Sequence, residues 1–354
     1  MTRRELFAAA GTTAIAAQLT THARAEAVPN PKGRLGMGGS PTALSHRRAP
    51  GGGGRGAQMA PDELIDYCHS IGLGGAEVGA PPTDPAAVSK MRDKLQTWDM
   101  HVIFNIPLPR TEADLPAFEA GVKAAKEIGA FGLHAAMTQR RYEEFKTLEA
   151  FQQSFANNQR IVALAEPVLR KHKVRLALEN HKGWTALEQA AWLKRLSSEY
   201  VGVHLDFGNN VSFMEDPMFT LETLKPYIFS GHIKDMAVKP YEDGFLLSEV
   251  PFGEGFLDLK KMVDILRAKD PNMVLDLEMI TRDPLKVPIY TDSYWITFKD
   301  MPGRQVAWMA ETLQKRSAKK ALPTLAGLGA PARRQLEEDY NLACIRYARQ
   351  NLGL

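Results

Sequence analysis

The chain has 354 residues, 44% of them hydrophobic, and a formal net charge of +3. It is long enough to bury a large core, and an α/β barrel of this size is commonly a single domain. Its 44 Lys and Arg and 41 Asp and Glu are dispersed along the chain, so no basic face marks a nucleic-acid binder. The N-terminus carries Arg3-Arg4, an uncharged run from Ala8 to Leu19, and then Ala23-Arg24-Ala25, an A-x-A cleavage pattern. That order predicts a twin-arginine export signal over residues 1–25 and a mature protein that is periplasmic or extracellular. The apolar run is too short to span a membrane, so none is expected to hold the mature chain.

Arg34 to Gly39 reads as a Gly-rich first strand, followed by a loop without periodicity that contains Gly51-Gly52-Gly53-Gly54. The Lys-Ser/Thr of a nucleotide loop does not follow those glycines. Pro61-Asp62-Glu63 opens the first helix, and Gly74 to Gly79 is strand 2, carrying Glu77. Helix 2 is expected over about Asp84 to Asp99, strand 3 over His101 to Ile106, helix 3 over about Glu112 to Ile128 and strand 4 over Phe131 to Met137. Helix 4 is expected to run from about Arg141 to His172, bent or divided by Pro167. Cys68 and Cys344 fall in helical patterns and leave room for one bridge, not a disulfide framework.

Four later segments share one design, a short apolar run that ends in a carboxylate or an imidazole. They are Leu176-Ala177-Leu178-Glu179, Val203-His204-Leu205-Asp206, Phe229-Ser230-Gly231-His232 and Val274-Leu275-Asp276-Leu277-Glu278. Such runs read as parallel strands buried on both faces. Spacings of 27, 26 and 46 residues separate Glu179, Asp206, His232 and Glu278. A βα unit takes roughly 30 residues, so each gap is one unit and the last carries an insertion. In a closed parallel barrel all four would meet at the C-terminal mouth. Three carboxylates and one imidazole suit one divalent metal ion, Mn²⁺ foremost, with Mg²⁺ or Co²⁺ also suited. A lone residue of this kind is commonly a solvated strand-end charge, but four at one repeated position are not.

These segments, with Leu178-Glu179-Asn180-His181, Leu205-Asp206-Phe207-Gly208-Asn209, His232-Ile233-Lys234-Asp235 and Leu277-Glu278-Met279, resemble the xylose-isomerase-like barrel superfamily of sugar isomerases and epimerases. The resemblance covers roughly residues 33–316 and implies an α/β fold, a (β/α)₈ TIM barrel, with residues 317–354 as a C-terminal helical extension. It implies that Glu179, Asp206, His232 and Glu278 hold the metal and that Glu179 and Glu278 double as acid and base. Many members carry His three residues after the strand-6 Asp; here that position is Asn209.

His181, at the mouth, and Lys234, a cation two residues beyond His232, are candidates for substrate binding, as is Asn209. Asn105 and His134 admit two readings, substrate contact or hydrogen-bonded barrel interior. His204 and Asp276 lie one layer deeper and are expected to orient the ligands. Val238 to Phe256 is expected to form a hairpin over the mouth, with Asp258 capping the next helix. Arg282 to Arg304 is long and aromatic and reads as a lid in which Trp295 could stack on a sugar. Helix 8, over about Gly303 to Gln314, is expected to complete the eight units, and a further helix over Ala330 to Asn351 is expected to pack across the barrel bottom or against another subunit.

A metal held by two neighbouring oxygens of a hydroxy-ketone acidifies the C–H between them, and a carboxylate can then take the proton. The expected function is therefore a metal-dependent sugar isomerase or epimerase working through an enediolate on a keto-sugar or an oxidised glycoside. A 3-keto-glycoside lyase would use the same enolisation. A non-catalytic exported carbohydrate-binding protein would not need two proton-transfer carboxylates. The expected partner is a small carbohydrate, and a homo-oligomer is compatible with the C-terminal helix.

Overall fold

The computed structural model describes residues 35–38, 42–47, 59–138, 140–298 and 300–354. The export signal over 1–25, the ends of the first strand at Arg34 and Gly39, and the loop glycines Gly51 to Gly54 lie outside these residues. The described strands are β1 (Gly36–Met37), β2 (Gly75–Val78), β3 (His101–Asn105), β4 (Gly132–Ala135), β5 (Leu176–Glu179), β6 (Val201–Asp206), β7 (Ile228–Ile233), β8 (Asp235–Tyr241), β9 (Gly244–Val250), β10 (Val274–Leu277) and β11 (Leu285–Val287). The helices are α1 (Pro61–Ser70), α2 (Pro85–Trp98), α3 (Leu115–Ile128), α4 (Arg141–Glu144), α5 (Leu148–His172), α6 (Ala186–Leu196), α7 (Pro217–Leu224), α8 (Leu259–Lys269), α9 (Asp292–Trp295), α10 (Gly303–Arg316) and α11 (Ala330–Tyr347).

Eight strands close into a barrel in the order β1-β10-β7-β6-β5-β4-β3-β2, all in parallel. This is the expected (β/α)₈ TIM barrel. Its strands are buried along almost their whole length, which explains why they read as unbroken apolar runs. At the N-terminal end, His101 Nε2 bonds Asp276 Oδ1 at 2.9 Å with both side chains buried. Gly36 and Gly75 make room for that pair, since a Cβ on Gly75 would meet the His101 ring at 2.2 Å. Cys68 and Cys344 are both buried and free.

The hairpin of the long seventh connection is present as β8 and β9, and β11 joins it as an antiparallel sheet in the order β11-β9-β8. The buried Asp235 carboxylate fixes the return from this hairpin by accepting from the backbone N–H groups of Gly253, Gly255 and Leu257. Asp258 then caps α8 by accepting from Lys261 N at 3.2 Å.

Two expectations about helices are corrected. Helix 4 is divided between Glu144 and Leu148, not at Pro167, which lies inside an undivided α5. The division is made by Thr147, whose side chain caps α5 at Ala150 N, a cap worth about 1 kcal/mol. The second correction concerns the eighth helix of the ring. α10 does not complete the barrel: its buried Met309 packs with Val238, Phe245 and Val287 of the small sheet. α11 does not pack across the bottom: Cys344, Ile345, Ala348 and Leu352, on it and just after it, belong to the main core. Arg349 bonds the carbonyls of Ile71 and Gly72 at the end of α1, and Arg267 of α8 bonds those of Leu352 and Gly353. No helix among the described residues is long and apolar enough to cross a membrane.

Candidate active site

The parallel strands β5, β6, β7 and β10 deliver Glu179, Asp206, His232 and Glu278 to one point; Glu179 pairs in register with His204, two residues before Asp206, and the stagger of a closed barrel takes up the offset. Asp206 pairs with His232 across β6 and β7, and Leu277 pairs with Ile233 across β10 and β7. One side-chain atom from each of the four lies within 4.8 Å of those of the others. All four are buried, between 1% and 5% exposed. His232 Nδ1 lies 3.7 Å from both Glu179 Oε1 and Glu278 Oε1 and has no hydrogen-bond partner among the described residues. A buried imidazole nitrogen without a partner, facing three buried carboxylates, fits a divalent cation better than any arrangement of protons. Burial opposes charge on His232, yet Glu77 and Glu278 outweigh it and hold its pKa well above the ordinary imidazole value. Burial pushes the Asp206 carboxyl up to about 6, partly countered by Lys234.

Around this point the expected residues divide into three groups. Lys234 is in the site: its ammonium lies 2.6 Å from Asp206 Oδ2 and directly against Glu278 Oε2. His134 Nε2 is 3.5 Å from Glu179 Oε2 and has no hydrogen-bond partner among the described residues, while His134 Nδ1 bonds Asn105 Oδ1. His181 is half-buried beside them with Nδ1 bonded to Thr138 O. Burial lowers its pKa, so a neutral ring is favoured.

A second group is already committed to protein partners. Asn209 donates Nδ2 to Glu179 Oε1 at 2.8 Å and its backbone N–H to Asp206 Oδ1 at 2.7 Å, and its Oδ1 accepts from Lys182. It holds Glu179 and Asp206 in place, and its amide is engaged by protein partners where a substrate contact was expected. Asn105 is likewise spent, donating to Glu77 Oε1 at 2.9 Å. His204 Nδ1 is hydrogen-bonded to Ser230 Oγ at 2.8 Å, and its ring is set edge-on to His232, with centroids 4.1 Å apart. Two residues lie away from the site. Asp276 pairs with His101, one layer down, and touches no ligand. Trp295 donates Nε1 to Ile289 O at 2.9 Å and packs against Tyr294, so its indole is used within its own loop.

Two buried side chains that the strand-end pattern did not single out complete the arrangement. Glu77, on β2, accepts from His232 Nε2 at 3.1 Å and from Asn105. It thereby fixes which face His232 turns to the carboxylates, as a carboxylate behind a ligating histidine does. Lys182 is 4% exposed and, among the described residues, forms no ion pair; burial lowers its pKa to about 8. A carboxylate in a fully buried four-residue strand is the signal that could have found Glu77, because such a charge must have partners.

Residues 65–301 match the xylose isomerase-like TIM barrel family, and the chain belongs to it. Among curated proteins it is similar to a 3-oxo-isoapionate decarboxylase of Pectobacterium atrosepticum, 28% identical over 109 residues, or 30% of this chain. The chain spans 40% of the length of that relative. Among solved structures it resembles 3-keto-D-glucoside 4-epimerase from E. coli, with a TM-score of 0.52 and 15% identity over 78% of this chain and 98% of the other. It also resembles L-ribulose 3-epimerase, with a TM-score of 0.51 and 13% identity over 90% of this chain and 96% of the other.

Proposed function

We propose that the protein is a divalent-metal-dependent isomerase or epimerase that enolises a keto-sugar or an oxidised glycoside, exported by the twin-arginine route. The observation that carries this reading is the convergence of Glu179, Asp206, His232 and Glu278, with Glu179 and Glu278 on either side of His232. A divalent cation held there, Mn²⁺, Mg²⁺ or Co²⁺, supplies the positive charge that acidifies the C–H of a hydroxy-ketone.

The residues of the chain do the rest. Glu179 takes the proton from one face, helped by Asn209, which fixes one of its oxygens, and by His134, which faces the other. Glu278 returns a proton from the opposite face, and inversion at carbon results. Lys234 sits between Asp206 and Glu278, where its ammonium balances charge on a substrate oxygen. The family to which the chain belongs and the two epimerases of the same fold support this reading.

The name of the curated relative favours a second outcome on the same site, loss of a group from the enolised sugar, and one experiment separates the two. Metal-loaded and chelator-stripped protein are incubated with ketoses and 3-keto-glycosides in heavy water and followed by NMR. Metal-dependent deuterium incorporation with epimer or isomer formation is expected, and elimination or decarboxylation products would select the lyase. Glu179→Gln and Glu278→Gln are each expected to lower turnover by about 10²-fold or more with metal still bound. Full turnover in both variants would sink the two-carboxylate mechanism.

A further inference from the structure

Beside the carboxylate cluster lies a cavity of about 460 Å³, bounded by Asn105, His134, Ala136, Met137, Asn158 and Ile161 among others. It opens past the ends of β3 and β4, across the barrel from β7 and β10. Its inner wall is His134, whose Nε2 faces Glu179. Its outer wall, from α5, is apolar apart from Asn158. That residue is 7% exposed, and its Nδ2 has no hydrogen-bond partner among the described residues. A buried amide N–H is costly to leave unmet, so a native chain keeps one where a ligand or a water meets it. No carboxylate lines the cavity, and its one Arg, Arg110, is exposed. Cavities that take small molecules run roughly 300–1,000 Å³ and combine apolar walls with a few fixed polar groups, which is the composition here.

Resting on the reading of the site as one that enolises a keto-sugar, we infer that this cavity holds a second, uncharged group joined to the reacting sugar. The substrate is then a glycoside, with a neutral sugar or aryl aglycone in the cavity and Asn158 donating to one of its oxygens. The geometry requires this order. The reacting carbons must lie at Glu179 and Glu278, and the cavity lies on the other side of His134, whose Nε2 is 3.5 Å from Glu179 Oε2, so a group reaching it extends past His134, outward from the reacting ring. The one charge on the walls is the exposed Arg110, with no second cation beside it to hold a phosphate, and the apolar surface suits the face of a sugar or an aryl ring.

The test compares 3-keto-glucose with phenyl 3-keto-β-glucoside by deuterium exchange on the metal-loaded full chain. The glycoside is expected to show a kcat/KM about tenfold or more above that of the free sugar. Ala136→Trp, at an exposed position, fills the cavity and is expected to reduce the glycoside to the free-sugar value while free-sugar exchange stays within about twofold. Asn158→Leu is expected to remove part of the same preference; should it fail to fold, Ala136→Trp decides alone. Equal kcat/KM on both compounds in the wild type, or parallel loss on both in Ala136→Trp, overturns the assignment of the cavity. Exchange on neither compound by the wild type overturns the reading of the site and the inference with it, whereas exchange on the free sugar alone overturns only the inference.

Discussion

Glu77 meets three groups of the site: it accepts from His232 Nε2 and Asn105 Nδ2 and lies 3.4 Å from His134 Nδ1. Burial works against its charge, but His134 and His232 outweigh that and hold its carboxyl well below the ordinary range. A charged acceptor behind His232 locks the ring so that Nδ1 stays turned to Glu179 and Glu278. Replacing it by Gln keeps the volume and one acceptor but removes the charge. Glu77→Gln is therefore expected to weaken Mn²⁺ binding by about 10–100-fold, measured by calorimetric titration of chelator-stripped protein. Unchanged affinity would show that His232 is held by its strand alone. Strand-end spacing revealed the four converging residues because each sits on the same step of a repeated unit. It could not reveal Glu77, which reaches the same point from β2, outside that run of four units. Nor could it show that Asn209 spends its amide on Glu179 and Lys182, since spacing says where a side chain starts and not what it bonds.

At the level of elements, strands were legible because burial on both faces leaves an apolar run in the sequence, and the hairpin because its length exceeded one βα unit. The fate of α10 and α11 was not. Helical periodicity shows that a helix has an apolar face but does not name the surface that face covers. Chain order suggested that α10 closes the ring, yet β8, β9 and β11 build a second apolar surface that captures α10 first. The place beside α1 and α8 is left to α11. Ile345 on α11 is 3% exposed within the main core, whereas Val306 on α10 is 38% exposed. Ile345→Ala is thus expected to cost about 2–5 kcal/mol in urea unfolding, and Val306→Ala to stay within about 0.5 kcal/mol. A loss at Ile345 as small as that at Val306 would mean that α11 is not part of the barrel wall.

For the molecule as a whole, the near balance of charge in the sequence conceals carboxylates that folding buries at some cost, and these tie stability to pH. Glu215 is 3% exposed and lies away from the four converging residues, accepting from Ala186 N and Asn210 Nδ2. Burial pushes its carboxyl up to about 7 from 4.5, with those two donors pulling the other way. Between these values the unfolded chain releases a proton that the folded chain keeps, so unfolding becomes easier as pH rises. The stability is fully present below about pH 4.5 and is lost as pH passes through about 7. The size of the effect is on the order of 3 kcal/mol. Gln at this position can still accept from Ala186 N and does not titrate. The stability of Glu215→Gln relative to the wild type is therefore expected to rise by that amount between pH 5 and pH 8, measured by urea unfolding of metal-free protein at both values. Taking the difference removes the other carboxylates, such as Asp235, that titrate in both chains. Parallel pH profiles for the two proteins would show that Glu215 is solvated enough to ionise without cost, and that the loop between β6 and α7 opens to water.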